Sequence, residues 1–172
     1  LAAHHLLVLS ESGLAALPLI LAADPGVRLI LVGHGPLREV MEAFMWALEH
    51  GDRALVERIV ECGRLLEGDP DGAGGSQALG KVQLFFRDLE ARGELEAYFA
   101  AAREHVRSDR VIFTGYLTHN ELKFLFPCCD AGMFPSIVKE AGPLVFLESL
   151  ASGCFPLGTY FGGMKASIDS IA

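Results

Sequence analysis

The stretch VRLILVGHGP, residues 27–36, decides how the rest of the chain is interpreted. Its first part is rich in leucine and β-branched residues without polar alternation, which is typical of a parallel strand buried on both faces. A tight loop follows at Gly33, and Pro36 suits the first turn of a helix. The stretch therefore predicts a strand, a loop and a helix of an α/β fold.

The same alternation continues on both sides of this stretch. Residues 4–9, HHLLVL, are weakly strand-like, and residues 11–23 predict a mostly buried helix with a kink at Pro18. Further strands are predicted at 110–116, 129–136 and 155–160. Strands that alternate with helices predict a Rossmann-like parallel sheet with helices on both faces and right-handed crossovers.

Local signals mark the ends of the later helices. THNE, residues 118–121, matches a capping box with Thr118 as the N-cap. Pro143 fits the first turn of a helix, and Gly153 fits the C-terminal end of that helix. These signals predict one helix before the strand at 129–136 and another after it.

Residues 37 to about 107 break the alternation. Four amphipathic helical stretches follow one another there, interrupted by the glycine-rich segment DPDGAGGSQALG at 69–80, which is expected to be mobile. A run of helices inside an alternating pattern predicts a helical insertion at 43–107 within one domain that spans 1–172. The apolar stripes of these helices must be buried. We expect them to pack mainly on each other, and contact with a further domain or subunit is the alternative.

The composition excludes several classes of partner. The chain has 172 residues, a net charge of -8 and 51% hydrophobic residues, which suits one domain with a sizeable core. The acidic balance argues against nucleic acid or an anionic membrane surface as a partner, and no apolar run is long enough to span a membrane. The four cysteines have no zinc spacing. We interpret the adjacent Cys128 and Cys129 as small core residues in a reducing compartment, and expect a cytoplasmic protein.

Candidate binding residues follow the carboxyl ends of the predicted strands, where ligands bind in an open α/β sheet. The loops concerned are GHGP (33–36), TGYL (114–117), SIVKEAG (136–142) and GG (162–163). Glycine lets the backbone approach a ligand closely, and a helix N-terminus offers free N–H groups and a partial positive charge. A phosphate-binding site, called the phosphate seat here, is therefore predicted at Gly142, Pro143 and Leu144.

Two carboxylates flank this seat within KEAGPLVFLESLASG, residues 139–153. Glu148 lies on the second turn of the predicted helix, where its carboxylate is placed to accept hydrogen bonds from vicinal hydroxyls such as those of a ribose. Glu140 lies in the loop before that helix. Its carboxylate is placed to accept hydrogen bonds from the hydroxyls of a group beyond the phosphate. The alternative is a surface loop glutamate and a helix glutamate that pairs with Lys139 or Lys165.

Three stretches carry a family resemblance: RLILVGHGPLRE (28–39), VIFTGYLTHNEL (111–122) and EAGPLVFLESLASGCFPLGTYFGG (140–163). In this order they resemble the C-terminal, nucleotide-binding half of the retaining glycosyltransferases with the B fold, family four (group 1). The resemblance covers roughly residues 14–42 and 110–172. It includes the family's pattern of a glutamate, seven residues and a second glutamate, which Glu140 and Glu148 match.

The resemblance implies a donor site for a nucleoside diphosphate sugar, in a hexosyl transfer that retains the anomeric configuration and needs no metal. Glu140 would be the catalytic glutamate that faces the donor sugar, and Glu148 would hold the ribose. The other implied donor-binding residues are Gly33 on the phosphate side, Tyr116 and Leu117 against the base, and Gly142, Pro143 and Leu144 at the sugar or phosphate.

The resemblance also implies a partner domain. In this family the acceptor binds an N-terminal domain, and the reaction occurs between the two halves. Nothing in the sequence supplies that domain, and the chain begins at Leu1 rather than at a methionine. We therefore expect a fragment that is inactive on its own.

Departures from the family pattern keep other functions open. VLSESGL (8–14) lacks the arginine and lysine that the family usually places after its first strand. His34 stands where an acidic residue is usual, and Ala166 stands where a glutamate is often found. The missing basic pair favours an alternative, a non-catalytic module that binds a nucleotide or sugar phosphate and regulates a partner. An epimerase or phosphorylase of a related fold is a further alternative, although no lysine is placed for a phosphate or pyridoxal site.

Overall fold

The computed structural model describes residues 4–8, 11–33, 37–67, 78–135 and 144–171. These residues form two compact units. One unit, called the sheet unit here, contains the five β-strands and the last three α-helices. The other, called the helical unit, contains the first five α-helices. Of the glycine-rich segment predicted to be mobile, residues 69–77 lie outside the described residues, and residues 78–80 lead into the helix that begins at Gly80.

The sheet unit contains one parallel sheet, as the alternation predicted. Its strands are β1 (His4–Val8), β2 (Val27–Val32), β3 (Val111–Gly115), β4 (Ala131–Phe134) and β5 (Phe155–Gly158). They lie in the order β3-β2-β1-β4-β5, and every neighbouring pair is parallel. The chain thus runs outward from β1 to β3 and returns to place β4 on the other side of β1. This reversal is typical of Rossmann-like folds, in which ligands bind beyond the strand ends at the switch point.

The remaining elements of the sheet unit are α6 (His119–Leu125), α7 (Leu144–Ala151) and α8 (Gly162–Ile171). Side chains from all three helices join strand residues in one apolar core. Its buried members are Ile30, Leu122, Phe126, Cys129, Phe134, Phe146, Cys154 and Met164. Burial of this apolar surface stabilises the sheet unit and fixes the position of the helices against the strands.

Two of the three predicted helix signals in this unit are confirmed, and the third, Pro143, lies outside the described residues. Thr118 is the N-cap of α6: its hydroxyl accepts from the backbone N–H of Asn120 at 3.2 Å, and the Glu121 carboxylate accepts from the Thr118 N–H at 2.6 Å. The helix α7 is followed by Gly153, whose φ of 82° lies in the left-handed region that favours glycine. The N–H of Gly153 donates to the carbonyl of Leu150 at 3.1 Å.

The helical unit contains the four predicted amphipathic helices and one more. Its elements are α1 (Glu11–Ala23), α2 (Arg38–His50), α3 (Arg53–Cys62), α4 (Gly80–Ala91) and α5 (Leu95–His105). The turn between α2 and α3 has a local cause: Gly51 adopts a φ of 67°, and the side chain of Asp52 caps α3 by accepting from the N–H of Leu55 at 3.0 Å.

The apolar stripes pack on each other and also on α1, which lies outside the predicted insertion. Leu14, Leu17 and Leu21 of α1 are buried. On α5 the fully buried Tyr98 donates its hydroxyl to the carbonyl of Ala15 at 2.9 Å. The helical unit of the structure extends beyond the range 43–107 and includes α1, which is apolar around most of its surface. The insertion predicted at 43–107 stays a prediction.

The prediction that the adjacent cysteines are core residues is confirmed for one of them and wrong for the other. Cys129 is buried, whereas Cys128, at the end of a short 3₁₀ turn over Phe126–Cys128, is exposed. A turn directs successive side chains to different sides, so one neighbour enters the core and the other does not. Burial, with smaller contributions from the nearby thiols and Asp130, raises the pKa of Cys129 to about 12. Within the described ranges, no helix is long and apolar enough to cross a membrane.

Candidate functional site

The carboxyl ends of the parallel strands share one edge of the sheet. Val32 of β2 is in register with Gly115 of β3, and Phe134 of β4 is in register with Gly158 of β5. The residues that follow these positions therefore lie along the same edge, as the sequence predicted. This edge also contains the switch point between β1 and β4, so it is the candidate ligand-binding edge.

Two glycines open the backbone at the β2 and β3 ends of this edge. The N–H of Gly33 donates to the carbonyl of Gly115 at 2.9 Å, and the hydroxyl of Thr114 donates to the carbonyl of Leu31 at 3.2 Å. Gly33 has a φ of 147° and Gly115 a φ of 77°, a region that residues with a side chain rarely adopt. An added Cβ at either glycine would meet none of the described atoms within 4 Å. The backbone here is fixed by hydrogen bonds, and a ligand can approach it closely.

Tyr116 and Leu117, the predicted base contacts, have different environments. The side chain of Tyr116 is 76% exposed and presents an aromatic ring at the sheet edge. Leu117 is partly buried and packs against the apolar core of the sheet unit. Tyr116 is thus available to a ligand, whereas Leu117 mainly anchors the loop that follows β3 to the core.

Glu148, the predicted ribose ligand, meets a histidine from the neighbouring helix. The Nδ1 atom of His119 lies 2.8 Å from Oε2 of Glu148. An ionised carboxylate only accepts, so Nδ1 is the donor in this contact. The two side chains are 64% and 41% exposed, respectively. This contact joins the second turn of α7 to the first residue of α6, directly after the β3 loop that contains Tyr116.

No candidate site predicted from the sequence includes His119. Its 29-residue separation from Glu148 gives no local pattern that links them. The usable signal was the capping box, because it places His119 at the first position of α6, near the sheet edge. The alternative partners considered for Glu148 were lysines, but Lys165 lies over the ring of Tyr160, 5.2 Å from its centre. Lys139 lies outside the described residues.

The predicted phosphate seat is described only from Leu144 onward. Leu144 is exposed and is the first residue of α7, whose first N–H groups have no carbonyl acceptor within the helix. Glu140, Gly142, Pro143 and His34 lie outside the described residues. Their predicted roles therefore stay predictions.

A shallow pocket of about 190 Å³ lies at the β4 and β5 end of the same edge. Its lining residues are Met133, Phe134, Pro135, Leu157, Gly158 and Thr159. The sequence interpretation did not select them, because on a strand they look like ordinary core residues. In the described ranges, no three His, Cys, Asp or Glu side chains gather where they could hold a metal ion.

One comparison with known proteins bears on this edge. Residues 88–170 match the family model of the glycosyl transferases, group 1. The matched segment contains β3 to β5, α6, α7 and all but the last residue of α8, and with them Tyr116, His119 and Glu148. The match supports this family and a role in glycosyl transfer.

The matched segment and the resemblance noted in the sequence do not have the same bounds. The match begins within α4 and includes all of α5, which the sequence interpretation had assigned to the insertion. It does not include Gly33. α5 is the last α-helix before β3, so it ends the crossover from β2 to β3. No curated protein and no solved structure matches the chain significantly.

Proposed function

We propose that the sheet unit binds a nucleoside diphosphate sugar, the donor of a retaining hexosyl transfer. The observation that carries this proposal is the position of Glu148. Its partly exposed carboxylate lies at the carboxyl edge of a Rossmann-like sheet, within the segment that matches the glycosyl transferases. A carboxylate at such an edge is suited to bind the vicinal hydroxyls of a ribose.

The described contacts of Glu148 leave one carboxylate oxygen available to these hydroxyls. Its Oε2 atom accepts from His119, and none of the described residues donates to its Oε1 atom. A carboxylate oxygen accepts up to two hydrogen bonds, so a ribose hydroxyl can bind Oε1 without displacing His119. Such a charge-assisted hydrogen bond is stronger than one between neutral groups.

The neighbouring groups fit the other parts of the donor. The exposed ring of Tyr116 offers a stacking surface for a base. The backbone at Gly33 and the first N–H groups of α7 lie on the same edge, where the positive end of the helix dipole favours a diphosphate. By the family resemblance, Glu140 faces the donor sugar, and the backbone at 142–143 contacts the sugar or phosphate.

The reaction itself needs a second domain under this proposal. Transfer requires donor and acceptor to be held together in a reactive orientation. We therefore expect the 172-residue chain to bind the donor and transfer no sugar. Turnover of a sugar nucleotide onto an acceptor by the purified chain, above the rate of hydrolysis, would contradict this expectation.

A non-catalytic nucleotide-binding module is the second candidate function. The observation that favours it is the absence of arginine and lysine from VLSESGL, residues 8–14, where the family usually neutralises the diphosphate. Calorimetry separates the two functions. A donor site binds the sugar nucleotide more tightly than the matching nucleoside diphosphate, whereas a regulatory nucleotide site does not gain from the sugar.

The decisive experiment measures binding of UDP, GDP, ADP and their glucose conjugates to Glu148→Ala and Glu140→Ala. Loss of a hydrogen bond to a charged group costs about 1.5–3 kcal/mol, so Glu148→Ala should weaken nucleoside diphosphate binding about 10- to 150-fold. Glu140→Ala should weaken binding of the conjugates more than that of the bare nucleotides. Glu104→Ala, an exposed glutamate on α5, is the control. Parent-like nucleotide binding by Glu148→Ala refutes the proposed site.

A further inference from the structure

We infer that His119 is a positioning residue, which holds the Glu148 carboxylate in the orientation that accepts the nucleotide's ribose. This inference rests on the proposed function, since it assigns His119 a role in the same site. The observation is the 2.8 Å contact between His119 Nδ1 and Glu148 Oε2. That distance is typical of a charge-assisted hydrogen bond.

The backbone on the His119 side of this contact is fixed. His119 is the first residue of α6, immediately after the N-cap Thr118. The Glu121 carboxylate accepts from the Thr118 N–H at 2.6 Å and also from the Thr118 hydroxyl. The start of α6 is thus tied by a complete capping box, so the imidazole projects from a defined position.

The backbone on the Glu148 side is fixed as well. The next residue, Ser149, is fully buried, and its hydroxyl donates to the carbonyl of Cys154 at 3.2 Å. Phe146 of the same helix is buried in the sheet-unit core. With both helices anchored, the torsions of the two side chains are the main freedom left, and the contact between His119 and Glu148 restricts both.

Restriction before binding raises affinity. A partly exposed glutamate samples several rotamers, and ordering such a side chain on binding reduces affinity. His119 orders the Glu148 side chain before the ligand arrives. From the typical cost of ordering one flexible side chain, removal of the imidazole should weaken nucleotide binding about 3- to 10-fold.

A merely structural role for this pair predicts a different result. Ion pairs between exposed side chains contribute little to folding stability, so a structural role predicts a small change in melting temperature and an unchanged affinity. A positioning role predicts a loss of affinity that depends on the Glu148 carboxylate and on the ribose hydroxyls. The two roles are therefore separable by a binding measurement.

The test compares His119→Ala, His119→Asn and His119→Gln by calorimetry with UDP, GDP and ADP. The asparagine amide nitrogen takes the place of Nδ1, whereas the longer glutamine places its nitrogen near the position of Nε2. We expect His119→Ala and His119→Gln to lose 3- to 10-fold in affinity and His119→Asn to recover most of it. Asn120→Ala, on the same exposed turn of α6, is the matched control.

Two further measurements test whether the loss of affinity depends on the ribose hydroxyls and on Glu148. With the 2′,3′-dideoxy form of the nucleotide that binds most tightly, His119→Gln should bind like the parent. In the Glu148→Ala background, His119→Gln should cause no additional loss. An equal loss with the dideoxy ligand, or an affinity of His119→Gln equal to the parent's, overturns the positioning role.

The outcomes distinguish this inference from the proposed function. If Glu148→Ala itself binds all three nucleotides like the parent, the proposed function fails and the positioning role fails with it. If Glu148→Ala weakens binding but the histidine variants do not, only the positioning role is overturned. Thermal melting of each variant establishes that it is folded, and the Asn and Gln variants carry the test if His119→Ala is not.

Discussion

Replacing Tyr98 by phenylalanine tests how the helical unit is held together. Tyr98 is fully buried on α5, where its ring contacts Phe85 and Phe86 edge to face. Its hydroxyl donates to the carbonyl of Ala15 at 2.9 Å. That carbonyl belongs to α1, three positions before Pro18, so the hydrogen bond connects α5 to the middle of α1.

The substitution keeps the aromatic packing and removes only the donor. The Ala15 carbonyl then loses its hydrogen bond from α5, and such a bond contributes about 0.5–1.5 kcal/mol. With a urea dependence of about 2 kcal/mol per molar, the midpoint of unfolding should fall by roughly 0.25–0.75 M. Trp46 is the only tryptophan of the sequence and lies on α2 of the same unit, so its fluorescence reports this transition.

A control substitution at an exposed tyrosine makes the test specific to the buried hydrogen bond. Tyr160→Phe removes a hydrogen bond of 2.7 Å to Asp169 at an exposed position, and should change stability by less than about 0.5 kcal/mol. If the midpoint of Tyr98→Phe stays within about 0.2 M of the parent, the hydrogen bond to α1 contributes nothing and the reasoning is wrong.

The pH series follows from the burial of Tyr98, which raises the pKa of its hydroxyl well above the usual 10.0. Above pH 10 the unfolded chain releases this proton and the folded chain retains it. The contribution to stability is therefore complete below pH 10 and declines at higher pH, by up to about 1.4 kcal/mol per pH unit. Tyr98→Phe should remove this part of the alkaline decline, and urea midpoints between pH 8 and pH 11 measure it.

Three further predictions concern the sheet unit. Gly132→Ala would place a Cβ 2.9 Å from a phenylalanine ring, so it should destabilise the unit by about 1–3 kcal/mol in thermal or urea unfolding. Thr118→Ala should cost about 1 kcal/mol by removing the N-cap of α6. Hydrogen bonds from the Thr118 hydroxyl and N–H lower the pKa of Glu121 below its usual 4.5, so the contribution of this cap should be present above that pH and disappear as the pH falls through the lowered pKa. The exposed Cys128 should react with maleimide at pH 8 in the folded protein, whereas Cys129, whose pKa burial raises to about 12, should react only after unfolding; mass mapping of labelled peptides distinguishes the two.

The sequence by itself determined the elements whose causes are local. The apolar run at 27–32 forms β2, the THNE pattern forms the capping box of α6, and Gly153 ends α7. Each of these outcomes depends on backbone preferences and on hydrogen bonds between residues a few positions apart. The alternation of such elements was also sufficient to predict a parallel sheet, because parallel strands require crossovers.

The candidate site was predicted in part for the same reason. In a parallel sheet every strand ends at the same edge, so residues after the strands are brought together whatever the strand order. Tyr116 and Glu148 could therefore be selected from sequence, and both lie at that edge. The pocket at the ends of β4 and β5 was not selected, because a residue that lines a pocket and one that fills a core have the same pattern on a strand.

Only the tertiary structure decided which distant elements meet. The strand order, the pairing of His119 with Glu148 and the inclusion of α1 in the helical unit depend on contacts far apart in the chain, such as the one between Tyr98 and Ala15, 83 positions apart. An apolar helix such as α1 can be buried against any complementary surface, and its own sequence does not specify which. The physical reason is that burial is non-directional, whereas the choice of neighbour depends on shape and on single hydrogen bonds that exist only once the chain has folded.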